Sequence, residues 1–131
     1  MQIALIAQDD KKELMAQLCI AYCGILSKHT LCATATTGRI IADATGLDVE
    51  LLLSGEHGGI QQIAQRIQYG EVDVLLYFRS TVTDENYDVV AHNLTRLCDV
   101  YNLPIATNLA TAETIILALD RGDLDWRENM R

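Results

Sequence analysis

Apolar residues follow two rhythms along this chain. Short continuous runs at 3–7 (IALIA), 30–35 (TLCATA), 49–53 (VELLL), 72–78 (VDVLLYF) and 103–108 (LPIATN) alternate with stretches where apolar residues return every three or four positions. The continuous runs fit strands covered on both faces, and the wider spacing fits helices with one buried stripe. Leu14, Leu18, Ala21, Tyr22 and Ile25 mark a helix over roughly 11–26, with Asp9 and Asp10 placed to cap its start. Further helices are predicted at 39–45, ended by Gly46, at 60–68, closing at Gly70, at 87–101 and at 111–119. Pro104, the only proline, sits at the start of the fifth run, where its missing N–H does least harm. A charged tail, DRGDLDWRENMR, follows, with Trp126 expected either to pack against a neighbouring subunit or to hang free.

Five strand–helix units with short connections predict an α/β fold of three layers, a parallel sheet between helices, with right-handed crossovers. No linker, repeat or low-complexity segment divides the chain, so residues 1–131 are expected to form one domain.

In such folds ligands bind beyond the carboxyl ends of the strands, where strand order reverses. Polar residues collect there: Gln8, Asp9 and Lys12; Thr34, Thr36, Thr37 and Gly38; Ser54, Gly55, Gly58 and Gly59; Arg79, Ser80 and Thr81; Thr107 and Asn108. The stretch TATTGR puts hydroxyls and a glycine at a strand-to-helix turn, where free amides and a helix N-terminus can cradle phosphate or carboxylate. Lys12 would add the positive charge. Alternatively, Thr36 or Thr37 merely caps the helix. His57 reads as a surface histidine or a catalyst, and Arg79 as a solvated charge or a ligand contact. Tyr22, Tyr69 and Tyr101 read as packing residues.

Composition narrows the partners. A net charge of −8 and a pI near 4.6 repel phosphate backbones, which argues against nucleic-acid binding. Cys19, Cys23, Cys32 and Cys98 lie in apolar segments without a CxxC pair, so reduced core thiols are expected and no metal. No run is long enough to span a membrane, and no signal-type segment leads the chain, so a cytoplasmic protein is expected.

The segments IALIAQDDKK, ATATTG, ATGLDVELLLSG, GGIQQIAQRI, DVLLYF and LPIATNLATAETII together resemble the methylglyoxal synthase family from Gln2 to about Leu117. The resemblance implies a doubly wound five-stranded parallel sheet of order 3-2-1-4-5 and a homohexamer without a cofactor. It implies conversion of dihydroxyacetone phosphate to methylglyoxal and phosphate: a carboxylate removes a proton beside the carbonyl, and the enediolate expels phosphate. The phosphate grip falls on Lys12, Thr34, Ala35, Thr36, Thr37, Gly38, Ser54 and Gly55, with Asp9 beside it.

The catalytic positions depart from the family pattern. Ile60 stands where the family has its basic Asp, Gln8 and Tyr87 where it has His, and Ser80 where it has Asp; Val90 replaces another acid. A positioned base contributes ~10²–10⁴-fold in rate. The sequence therefore predicts a pseudoenzyme that binds phosphate or a small phosphorylated metabolite without synthase chemistry, as a sensor or assembly subunit. The alternative is an active synthase with rearranged acids, Asp9 or Glu56 standing in for the missing base.

Overall fold

The computed structural model describes residues 1–130. Five strands, β1 (Gln2–Ala7), β2 (Thr30–Ala33), β3 (Val49–Leu51), β4 (Val74–Phe78) and β5 (Ile105–Ala106), form one sheet of order β3-β2-β1-β4-β5. Every pairing is parallel, with Leu5 opposite Ala33 and Leu76, and Leu76 opposite Ala106. The helices are α1 (Lys12–Ala21), α2 (Cys23–Leu26), α3 (Ala35–Thr45), α4 (Gly59–Gln68), α5 (Glu85–Val100) and α6 (Leu109–Arg121).

Side chains alternate across the strands and so build two cores. Ile3, Leu5 and Ala7 of β1, with Val74, Leu76 and Phe78 of β4, meet Met15, Leu18, Ile41, Ile116 and Leu119 from α1, α3 and α6. Ala4, Ile6, Leu75 and Tyr77 face the other way, onto Ile63 and Ile67 of α4 and Ala91, Leu94 and Cys98 of α5. Each fully buried large side chain contributes about 1.5–3 kcal/mol. Continuous apolar runs are what a sheet buried on both faces requires.

Several elements differ from the sequence expectation. The first helix is broken at Tyr22, whose backbone leaves the helical region (φ −110°, ψ 22°), next to Gly24, a weak helix former. Residues 34 and 35 do not extend β2; the chain turns at Thr34 and the Thr-Thr-Gly segment forms the first turn of α3. The fifth strand shrinks to two residues, because Pro104 contributes only its carbonyl, which accepts from Leu75 N at 3.0 Å.

The charged tail folds onto its own chain. Asp73, buried just before β4, accepts from Gln2 N at 2.7 Å and lies 3.7 Å from Arg127 Nε. Arg127 also donates to the Asn102 carbonyl at 2.6 Å and stacks over Trp126. Tyr69 and Tyr101 are 71% and 44% exposed and therefore are not packing residues in this chain; Tyr22 does pack against the first core. Cys19, Cys32 and Cys98 are buried, and Cys23 is half-buried.

Candidate active site

The chain reverses direction across the sheet between β1 and β4, so their carboxyl ends open a crevice. A cavity of about 410 Å³ lies there, lined by Gln8, Asp9, Lys12, Thr34, Thr36 and Ser54 on its polar side. Gly55, Glu56 and Gln61 continue that side, and Ile6, Ala7, Ile60, Tyr87 and Val90 close the apolar one.

Several helical N-termini border this cavity, and the three that follow β1, β2 and β3 directly carry no side-chain cap. Gln8 precedes the 3-10 turn Asp9–Lys11, Thr34 precedes α3, and Ser54 precedes the 3-10 turn Gly55–His57; each is extended, and no side-chain oxygen accepts from the amides that follow. The starts of α5, whose Tyr87 also borders the cavity, and of α6 are treated differently. Asp84 accepts from Asn86 N and Tyr87 N at the head of α5, and Asn108 accepts from Thr111 N at the head of α6. First-turn amides carry partial positive charge and need a partner, so uncapped ends around one hollow offer it hydrogen-bond donors of the kind an anion takes. The expected capping roles of Asp9, Asp10, Thr36 and Thr37 are thus absent. Asp9 instead pairs with Lys12, and Thr36 lies open at the cavity wall.

Lys12 Nζ donates to the Ala7 carbonyl at 2.7 Å and to Asp9 Oδ1 at 2.9 Å, so the one cation that lines the hollow among the described residues is held by its own strand end. The hydrogen bond and charge of Lys12 hold the Asp9 carboxyl below the usual carboxylate range. Glu56 faces the same space and makes no ion pair among the described residues.

Ala35, Thr37, Gly38 and Ser80 stand behind the wall, and the lining residues Thr34 and Gln8 are bonded to them or to their neighbours. Thr37 is buried and donates to the Ala7 carbonyl at 3.3 Å, while Thr34 donates to Thr37 at 3.4 Å. Ala35 and Gly38 are buried under the turn, and Ala35 N is spent on the Leu53 carbonyl. Gln8 donates through Nε2 to the Tyr77 hydroxyl at 3.0 Å and accepts from Ser80 N, which ties the ends of β1 and β4 together. Burial pushes the Tyr77 phenol up. Ser80 donates to Asp10 and does not reach the cavity. Arg79 and Thr107 line a separate hollow with His92, and Gln61 is a wall residue that the sequence, with Gln62 beside it, does not single out.

The Ser54 loop is fixed by its glycines and by His57. Gly58 holds φ +105°, a left-handed conformation suited to glycine, and a Cβ on Gly59 would come within 2.0 Å of the Leu53 carbonyl oxygen. Ser54 Oγ lies 2.6 Å from His57 Nδ1.

The MGS-like domain family model matches residues 17–107. The methylglyoxal synthase of Caldicellulosiruptor saccharolyticus is 57% identical over 98% of this chain and 91% of its own length. That of Oceanobacillus iheyensis is 50% identical over the same shares, 98% and 91%. The crystal structure of methylglyoxal synthase from Elizabethkingia anophelis superposes with a TM-score of 0.77 at 33% identity, covering 88% of this chain and 76% of that one.

These relatives overturn the expectation of a pseudoenzyme that grips phosphate without the synthase chemistry. Proteins 47–57% identical over nearly the full length carry the name methylglyoxal synthase. They favour the alternative, an active synthase with rearranged acids. The folded hollow presents two carboxylates, Asp9 and Glu56, from other positions.

Proposed function

The chain belongs to the MGS-like domain family, and we propose that it is an active methylglyoxal synthase, a lyase that releases inorganic phosphate from dihydroxyacetone phosphate. The observation that carries this reading is the meeting, in one cavity, of three uncapped N-termini, Lys12 and two carboxylates. A triose phosphate needs both halves of that inventory.

The phosphate sits against the amides at Thr36, Gly55 and Asp9, with the Thr34, Thr36 and Ser54 hydroxyls and the Lys12 ammonium around it. Glu56 takes the proton from the hydroxymethyl carbon. Asp9 is the poorer base, since Lys12 stabilises its ionised form, and its role is to hold Lys12 toward the hollow. The electron pair left by the proton forms the carbon–carbon double bond of an enediolate, whose negative charge falls near Lys12 and the amides. Collapse of the enediolate breaks the bond between carbon and the phosphate oxygen. Phosphate leaves with that electron pair and takes up the proton held by Glu56, which restores the carboxylate, and the enol that remains tautomerises to methylglyoxal. Atoms balance without water or redox cofactor. Ile60, Ile6 and Val90 keep water from the intermediate.

The test is a pair of variants assayed for methylglyoxal with dihydroxyacetone phosphate. Glu56→Gln is expected to lower kcat by ~10²–10⁴-fold, as loss of a positioned base does, while Ile60→Ala lowers it by less than about tenfold. Equal losses in both, or none in Glu56→Gln, would remove Glu56 from the reaction.

The finer features belong to the same reading. All four cysteines are free, which supports a reducing cytoplasm, and no helix among the described residues is long and apolar enough to cross a membrane. Exposed Val82, Val89, Val100 and Tyr69 support a homo-oligomer, with the hexamer the expected form by sedimentation.

A further inference from the structure

The 2.6 Å contact between Ser54 Oγ and His57 Nδ1 has a consequence for any anion in the cavity. A serine hydroxyl has one proton and two lone pairs. If His57 Nδ1 is bare, it takes that proton, and Ser54 shows the cavity only oxygen lone pairs, which repel an anion. If Nδ1 carries a proton, His57 donates to Ser54, and the serine proton is free to point at the ligand.

We infer that His57 is a positioning residue which, by donating from Nδ1, turns the Ser54 hydroxyl into a donor toward a phosphate-type oxyanion in the cavity. The inference rests on the reading of this hollow as the phosphate cradle. Ser54 lines the cavity, whereas His57 stands behind it on an exposed turn, so His57 acts only through the serine. The turn is otherwise fully determined. His57 N and Gly59 N both donate to the Ser54 carbonyl, at 3.0 and 2.9 Å, and Leu53 N donates to Gln62 Oε1 at 2.8 Å, so backbone bonds set the loop and leave the two side chains free for this exchange. The charged groups around the pair are Glu56 on the same turn, Asp9 and Lys12 across the cavity, and Arg66, paired with Glu50, farther along α4. The required proton comes to Nδ1 by tautomer exchange, one N–H bond at Nε2 breaking as one at Nδ1 forms, with solvent relaying the proton.

The experiment uses sulfate, a dianion that undergoes no reaction, with the full chain. Calorimetry should show Ser54→Ala weakening sulfate about tenfold, the loss of one hydrogen bond to a charged group. His57→Ala should weaken it by a similar factor, and the double variant no further. His57→Asn, whose amide can donate from nearly the Nδ1 position, should bind within about threefold of the parent. In the parent protein, nitrogen-15 NMR should show the His57 Nδ1 resonance moving to its protonated position as sulfate is added. Independent, multiplying effects of the two alanines, a His57→Asn as weak as His57→Ala, or an unmoved Nδ1 resonance would overturn the role of His57 while leaving the cradle intact. Absence of sulfate binding to the parent would overturn both.

Discussion

Lys12 shows how much a single residue carries in this molecule. Among the described residues it is the one cation on the cavity wall, in a chain with net charge −8, and its ammonium is already oriented by the Ala7 carbonyl and Asp9. Anion capture against that overall field depends on local donors, so Lys12→Ala should abolish the gain in thermal stability that saturating phosphate confers. At about 100 times the dissociation constant that gain is about 2.7 kcal/mol in the parent. A melt of Lys12→Ala that still responds to phosphate would place the anion elsewhere. Gly59 matters for a steric reason: a methyl group there strikes backbone, not a side chain that can swing away. Gly59→Ala should therefore weaken phosphate binding together with stability, both read in the same titrated melts; an unchanged variant would show that the loop has room to shift. At this scale the sequence was most legible for the cradle, since Lys12, Thr34, Thr36 and Ser54 announce themselves by position at strand ends. It was least legible for the base. The missing Asp at position 60 and the nearby acids Asp9 and Glu56 are visible in the sequence, but that both acids line one hollow is a property of the folded loops.

Among the elements, α6 starts with a side-chain cap, whereas α3, which starts at the cavity, has none. The N-cap of α6 is Asn108, and its loss in Asn108→Ala should cost about 1 kcal/mol in denaturant unfolding without weakening phosphate. Thr36→Ala in the first turn of α3 should do the reverse: stability within about 0.5 kcal/mol, as for an exposed surface position, and weaker phosphate binding. If Thr36→Ala is the more destabilising of the two, Thr36 is a structural cap after all. Continuous apolar runs made the strands and their burial readable, and helical spacing made the helices readable. Element ends were not: the break at Tyr22 and the short β5 depend on backbone angles and on which amides find partners, neither of which apolar spacing encodes. The ambiguity between cap and cradle at Thr36 and Thr37 had the same origin, because both roles ask for the same residue types.

For the molecule as a whole, the two cores on either face of the sheet seal its thiols. Burial pushes Cys19 up to about 12 and Cys98 up to about 11, so neither forms an appreciable thiolate at neutral pH. A disulfide-exchange reagent at pH 8 should label Cys23 first in the native protein, and all four cysteines only after unfolding; rapid labelling of Cys19 or Cys98 would mean that the helix layers open readily. The tail closes over the opposite end of the sheet from the cavity, through Arg127 and Asp73, which removes it from the chemistry. The layered architecture followed from the alternation of runs, and its strand order from the resemblance. The synthase reading came from similarity over nearly the whole chain and from a hollow that holds anion donors and carboxylates together. Its most direct test is to incubate the full-length protein with dihydroxyacetone phosphate and follow methylglyoxal and inorganic phosphate at once. Equimolar release at a rate within the ordinary enzyme range, roughly 1–10³ per second, is the predicted result; intact substrate after prolonged incubation, with phosphate still able to bind, would contradict it.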